Sequence, residues 1–266
     1  CLASAPVMEQ PATENPNRSL TQDQIDTFRR DGFVVIGKLL EDSEIESLRQ
    51  EYDRLFDEAR DGDRFRNLSA DGGTAQRHDE GAEEEMLQIM QMCERSLLFR
   101  QLLFNDRILD IAEDLIGPNL QLFHDQALYK PAHRGGPIFW HQDNAYWKCI
   151  PANLVSCWLT LDDVDAANGA MHLLPGSHLQ PLTHERADVL LDSGSQVDQS
   201  RAVVVELPAG GVMFHHCQTA HHTPPNTTDR QRRAFAIHFM APGTRSAPTG
   251  DFMPVSFGRP ILRMRM

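Results

Sequence analysis

Residues 139–147 read FWHQDNAYW. Aromatic side chains at Phe139, Trp140, Tyr146 and Trp147 flank an imidazole, two amides and a carboxylate. Read as a strand, the run alternates its side chains between two faces, so His141 and Asp143 point the same way and Gln142 the other. An imidazole and a carboxylate aimed together from an aromatic bed are two candidate ligands for one metal ion. A strand with that task belongs to a β-rich core.

Toward the C-terminus, short apolar runs succeed one another: LQLFHDQALYK (120–130), LVSCWLTLDDV (154–164), GAMHLLPGS (169–177), AVVVEL (202–207), GVMFHHC (211–217) and RAFAIHFM (233–240). Turn formers separate them, among them Gly135-Gly136-Pro137, Asn168-Gly169, Pro175-Gly176 and Pro224-Pro225-Asn226. Many short strands punctuated in this way predict a sandwich or barrel. Residues 180–200 are polar and are read as a long loop.

Toward the N-terminus the periodicity changes. Thr21 and Gln24 form a capping-box pattern, repeated in SEIE at 43–46. Ile45, Leu48, Tyr52 and Leu55 recur at helical spacing, and GFVVIGKLL (32–40) reads as a strand between two helices. Residues 60–85 read as a mobile loop and a candidate lid. Residues 86–116 read as helix closed by Gly117, with Met86, Met90 and Met92 packed in a core. The expected organisation is mostly β with flanking α-helices. A flexible lead (1–20) precedes one domain (21–266), made of a helical layer (21–117), a β core (118–240) and a C-terminal tail (241–266).

The chain has 266 residues, long enough to bury a core without disulfides or a structural metal. Its net charge of −13 argues against nucleic acid, which rewards a basic surface, and against anionic membranes. Five cysteines at irregular spacing fit reduced thiols. No run of about 18 apolar residues suits a membrane span, and no secretory signal is visible. The expectation is a cytoplasmic protein acting on a small molecule, with no nucleic-acid or membrane partner; its oligomeric state is left open.

A third ligand is sought in HHCQTAHHTPPN (215–226), which offers His215, His216, His221 and His222. Two imidazoles and one carboxylate on one face of an octahedron are the ligands of non-haem Fe(II) oxygenases, and they leave adjacent positions for a chelating cosubstrate and dioxygen.

Several motifs, in order, resemble the phytanoyl-CoA dioxygenase family of Fe(II)- and 2-oxoglutarate-dependent oxygenases. They are RRDGFVVIGKLL (29–40), KPAHRGGPIFWHQDNAYW (130–147), LVSCWLTLDDVDAANGAMHLLPGSH (154–178) and AHHTPPNTTDRQRRAFAIHF (220–239). The resemblance implies a double-stranded β-helix (jelly roll, cupin-like) core behind an N-terminal helical layer. It implies Fe(II) on His141, Asp143 and His221, and 2-oxoglutarate held at its distal carboxylate by Arg232 and Thr223. Trp158 and Gln126 would border that cosubstrate. A guanidinium pairs bidentately with a carboxylate where an ammonium does not. Arg233, next in sequence, would face the other way. Asp143 stands where related halogenases have glycine or alanine, so the resemblance implies hydroxylation or another oxidation by O2, with succinate and CO2 as coproducts, rather than halogenation.

Asn144, Tyr146, Lys148 and Arg134 are candidate substrate residues, and Trp147 reads equally as cavity wall or core. His215, His216 and His222 read as structural or as partners orienting a ligand. His238 reads as a satisfied core histidine, His172 and His178 as strand and turn residues, and His124 and His133 as substrate or surface residues. Two rival functions use the same residues. One is a zinc hydrolase with an activated water, which leaves Arg232 and Thr223 without a task. The other is a non-catalytic jelly roll that binds a ligand.

Overall fold

The computed structural model describes residues 19–62, 66–69, 84–187, 190–247, 253–254 and 258–265. The Val155–Thr160 strand is buried along its whole length, because both its faces are covered. Val155, Cys157 and Leu159 pack against Ile45, Leu48, Tyr52, Phe99 and Ile108 of the helices. Trp158 packs inward against Met171, Leu173 and Val205 of a second sheet. The neighbouring strands divide likewise: Phe214, Phe235 and Ile237 face the helices, while Met213, Ala234 and Ala236 face inward.

The larger sheet runs Phe33–Lys38, Gly211–His216, Val155–Thr160, Arg232–Met240, Leu120–Lys130, Leu87–Met90, Arg66–Asn67, with Ile261–Arg263 also on Leu120–Lys130. The smaller runs Val203–Val205, Met171–Leu173, His221–Thr223, Ile138–His141. All these pairings are antiparallel. Two antiparallel sheets face to face, with helices on the outside of the larger, make the double-stranded β-helix that the motifs implied.

The first helix, Gln22–Asp31, carries the predicted capping box: Thr21 accepts from the Gln24 amide and Gln24 returns the bond. Such a cap is worth about 1 kcal/mol. The helix ends at Gly32 (φ 86°), whose backbone N–H bonds the Phe28 carbonyl.

Three expectations are corrected. The helix predicted over 86–116 begins instead with a strand, Leu87–Met90. Leu87 and Ile89 enter the core while Gln88 and Met90 face the other way, the period of a sheet. Helices Met92–Arg95, Leu97–Leu102 and Asp106–Ile116 follow, the last two started by Ser96 and Asn105 as N-caps. The loop expected over 180–200 contains a hairpin, Glu185–Ala187 with Leu190–Asp192, and two 3-10 turns. At the N-terminus Leu20 is already buried, and Asp114 accepts from its backbone N–H. Residues 1–18 lie outside the described residues, as does most of the candidate lid.

Beyond Met240, Arg245–Ser246 pairs with Cys149–Ile150. Arg263 binds Asp106, Asp110 and Glu113 of the last helix. Cys93, Cys149, Cys157 and Cys217 are buried free thiols. No helix among the described residues is long and apolar enough to cross a membrane.

Candidate metal centre

His141 and His221 lie directly opposite each other on paired antiparallel strands of the smaller sheet. Their rings are 4.3 Å apart. Each ring is pinned by its own strand: His141 Nδ1 bonds the Phe139 carbonyl at 2.8 Å, and His221 Nδ1 bonds the Thr219 carbonyl at 2.9 Å. Nδ1 is therefore the donor in both, and the Nε2 lone pairs converge. Asp143 Oδ1 stands 3.6 Å from His141 Nε2 and 3.8 Å from His221 Nε2. The ligand atoms of these three buried residues lie within 4.8 Å of one another, the candidate metal group among the described residues.

Asp143 reaches this place by a route other than strand alternation. The strand stops at His141; Gln142 is an N-cap, and Asp143 opens a single helical turn, Asp143–Trp147. Gln142 is the reason. Its buried side-chain amide donates to the Ser177, Gln180 and Gln218 carbonyls and accepts from Leu182 N–H. Its backbone N–H donates to His184 Nε2. Anchored to residues 177–184 and to Gln218, Gln142 bends the chain and swings Asp143 under the two rings.

Burial alone would raise the Asp143 pKa, but the nearby imidazoles of His221, His141 and His215 hold its carboxyl well below the usual carboxylate range. Burial, reinforced by His141, holds His221 well below the usual imidazole value. A neutral imidazole and an ionised carboxylate are the forms that bind a metal. The outer oxygen of Asp143 is occupied as well: His215 Nε2 lies 3.2 Å from Oδ2, and Ser156 Oγ donates to it at 3.4 Å. Ser156 in turn belongs to a chain of donors. Gln88 donates to Gln126 Oε1, Gln126 Nε2 donates to His238 Nε2 at 2.9 Å, and His238 Nδ1 donates to Ser156 Oγ at 2.7 Å.

A cavity of about 360 Å³ opens over this centre. Its wall includes Arg232, fully buried, whose guanidinium lies 5.9 Å from the Trp158 ring. Arg232 Nη1 donates to the Leu128 carbonyl, but its Nε and Nη2 have no partner among the described residues, and neither does the buried hydroxyl of Thr223. Burial pushes Arg232 down to about 10, still charged at neutral pH. Lys130, also buried, donates to the Thr223 and Pro224 carbonyls. Unpartnered buried donors are costly, and here they converge beside a cation. An anion carrying several acceptors, a carboxylate, fits that set.

Of the remaining predicted residues, Trp158, Gln126 and Tyr146 border the cavity, Tyr146 edge-on to His141. Asn144, Lys148 and Arg134 do not. Asn144 Oδ1 accepts from Cys149 N–H, Lys148 is exposed at the helix C-cap, and Arg134 is ion-paired to Glu85. His222 turns away from the cavity onto Trp140 and His172. Cavity residues the sequence reading missed include Ser156's neighbour in the chain of donors, His238, and Gln88, Met86 and Met90. Period-two alternation in MLQIM was the signal for the last three.

A jelly roll with this ligand group, and a buried cation waiting for a carboxylate, defines a non-haem iron, 2-oxoglutarate-dependent oxygenase. The chain belongs to the phytanoyl-CoA dioxygenase (PhyH) family, whose sequence profile matches residues 28–234. It is 27% identical to peroxisomal phytanoyl-CoA dioxygenase of Mus musculus over 262 residues, covering 93% of this chain and 76% of the mouse protein. Its fold matches EvdO2 of Micromonospora carbonacea var. aurantiaca, a structure complexed with 2-oxoglutarate, with TM-score 0.67 and 29% identity over 89% of this chain and 96% of that one. It also matches the epimerase SnoN in complex with Fe3+, alpha ketoglutarate and nogalamycin RO, with TM-score 0.72 and 24% identity over 91% of this chain and 98% of that one.

Proposed function

We propose that this chain, as one domain spanning residues 21–266, hydroxylates an unactivated C–H bond of a small organic molecule. His141, Asp143 and His221 would hold the iron, and Arg232 and Thr223 the distal carboxylate of 2-oxoglutarate, with Trp158 and Gln126 beside it. The observation that carries this reading is the buried Arg232, two of its donor nitrogens without a partner among the described residues, lining the same cavity as the ligand group together with the Thr223 hydroxyl, which likewise has no partner among them. A zinc hydrolase has no use for that arrangement; a passive binding protein is separated from this reading by the turnover test below.

When bound, iron with 2-oxoglutarate and dioxygen supplies the oxidising equivalent, releasing succinate and CO2. The protein's part is orientation and exclusion. Phe139 and Thr219 carbonyls fix the two imidazoles; His215 and Ser156 hold the outer oxygen of Asp143, leaving Oδ1 for the metal. Trp147, Tyr146 and Ile138 border the cavity and keep water from it. Asp143 puts a carboxylate where a halide would otherwise bind, which supports oxygen insertion. Buried free thiols suit a reducing compartment such as the cytoplasm.

The test is conversion of 2-oxoglutarate to succinate after anaerobic loading with Fe(II). Wild type should turn over and His221→Ala should not. Equal turnover by both, or turnover with Zn(II) in place of Fe(II), would sink the assignment.

A further inference from the structure

The cavity has a part that neither the ligand group nor the Arg232 end uses. His124, His238, Trp147 and Met90 border it. His238 is satisfied at both ring nitrogens, by Ser156 and Gln126. His124 is not. Its ring lies 4.4 Å from His238 and stands edge-on to Trp147 at 5.3 Å, yet neither nitrogen has a partner among the described residues, and Nδ1 is shielded from solvent. Part of the ring remains open, but the protein strips enough water from it to push its pKa down to about 4. At neutral pH it therefore offers one donor and one acceptor and no charge.

Charge is sparse throughout this part. Among the described residues bordering the cavity, the fixed charges belong to Asp143, Arg232 and the exposed Arg66. The first two are committed to iron and cosubstrate. A phosphate, a coenzyme A ester or an ammonium entering here would lose water and gain no buried counterion among the described residues that border the cavity. Trp147 presents an indole, and Met90 presents a thioether, which makes favourable contacts with ring edges. The cavity is at the small end of ligand pockets and is shared with the cosubstrate.

We infer that this part of the cavity takes an uncharged, ring-bearing small molecule whose hydroxyl or carbonyl group hydrogen-bonds His124, which makes His124 a specificity-determining residue. This deepens the oxygenase reading and rests on it.

The probe is 1-naphthol, compared with 1-naphthyl phosphate and coenzyme A, each titrated calorimetrically and anaerobically into the full chain with Fe(II) and 2-oxoglutarate bound. 1-Naphthol should bind at least tenfold more tightly than either anion. His124→Phe keeps the ring but neither nitrogen, and should weaken 1-naphthol at least fivefold. His124→Gln keeps a donor and an acceptor and should stay within twofold of wild type. Equal or tighter binding of either anion, or unchanged affinity in His124→Phe, overturns the inference. 2-Oxoglutarate affinity is measured separately and should be the same in all three proteins, which also shows that the variants fold. Failure of wild type to bind 2-oxoglutarate would overturn the oxygenase reading itself.

Discussion

Arg232 and Arg233 are consecutive on one strand and meet opposite electrostatic surroundings. Arg233 points to the helical side, where Asp53 takes its Nε and Nη2 and Asp162 its Nη1. Arg232 points into the cavity and has no carboxylate partner among the described residues. One cation is spent on the fold and the other is held for a ligand.

Exchanging each for methionine should separate these roles. Arg232→Met should weaken 2-oxoglutarate binding roughly 10–100-fold, the worth of charged hydrogen bonds, with a melting temperature equal to or above wild type because an unpaired buried charge is removed. Arg233→Met should leave that affinity within twofold but cost about 1–3 kcal/mol of stability, discounted because Asp53 is half exposed. Calorimetric titration and urea unfolding distinguish the two; loss of cosubstrate binding in Arg233→Met would contradict the division of labour.

The donors linking Gln88, Gln126, His238, Ser156 and Asp143 all run in one direction. Ser156→Ala removes the last link and leaves His215 alone to hold the outer oxygen of Asp143. Fe(II) affinity should fall roughly tenfold, as partners of metal ligands commonly contribute, while the unfolding midpoint of the metal-free protein changes little. Competition titration against a chelator measures it; an unaltered affinity would reduce the chain to a packing feature.

Gly32 couples the first helix to His221. A Cβ there would approach His178 Nδ1 and Thr219 Oγ1 to 2.5 Å, and its φ of 86° already disfavours a side chain. The Thr219 carbonyl is the one that pins His221. Gly32→Ala should therefore destabilise by about 1–2 kcal/mol and also weaken metal binding. A variant that lost stability but kept full metal affinity would show that the displacement stops short of His221.

Acid should destabilise the protein before the carboxylates protonate. Burial pushes both His124 and His216 down to about 4 from an ordinary value near 6.5. Between those values the unfolded chain binds protons that the native one refuses, so stability rises with pH through this window and flattens above it. Urea midpoints should drop from pH 7 to pH 5 and agree between pH 7 and pH 8. A flat profile from pH 5 to pH 8 would mean that these rings titrate normally.

The sequence made the jelly roll legible because turn formers and apolar runs alternate after Gly117, and because the two sheets bury residues in pairs of faces. It misread Leu87–Met90 because four residues are too few to separate a period of 2 from one of 3.6, and the methionines suit either. His141, Asp143 and His221 were legible as residue types in motifs. The path of the chain through Gln142 was not, since a buried amide held by three distant carbonyls leaves no local pattern. Ser156 was hidden for the same reason: its partners are 13 and 82 residues away.

The pairing of His141 with His221 has one more consequence. Ile138–His141 ends the smaller sheet; among the described residues its ladder partner there is His221–Thr223, and its Trp140 carbonyl accepts from Ser193. An ion shared by those two strands would act as a removable fastener, closing the loop between residues 141 and 221 much as a cross-link does. Chelation would then loosen the protein at its thinnest seam, with that outer strand the first to exchange its amide hydrogens.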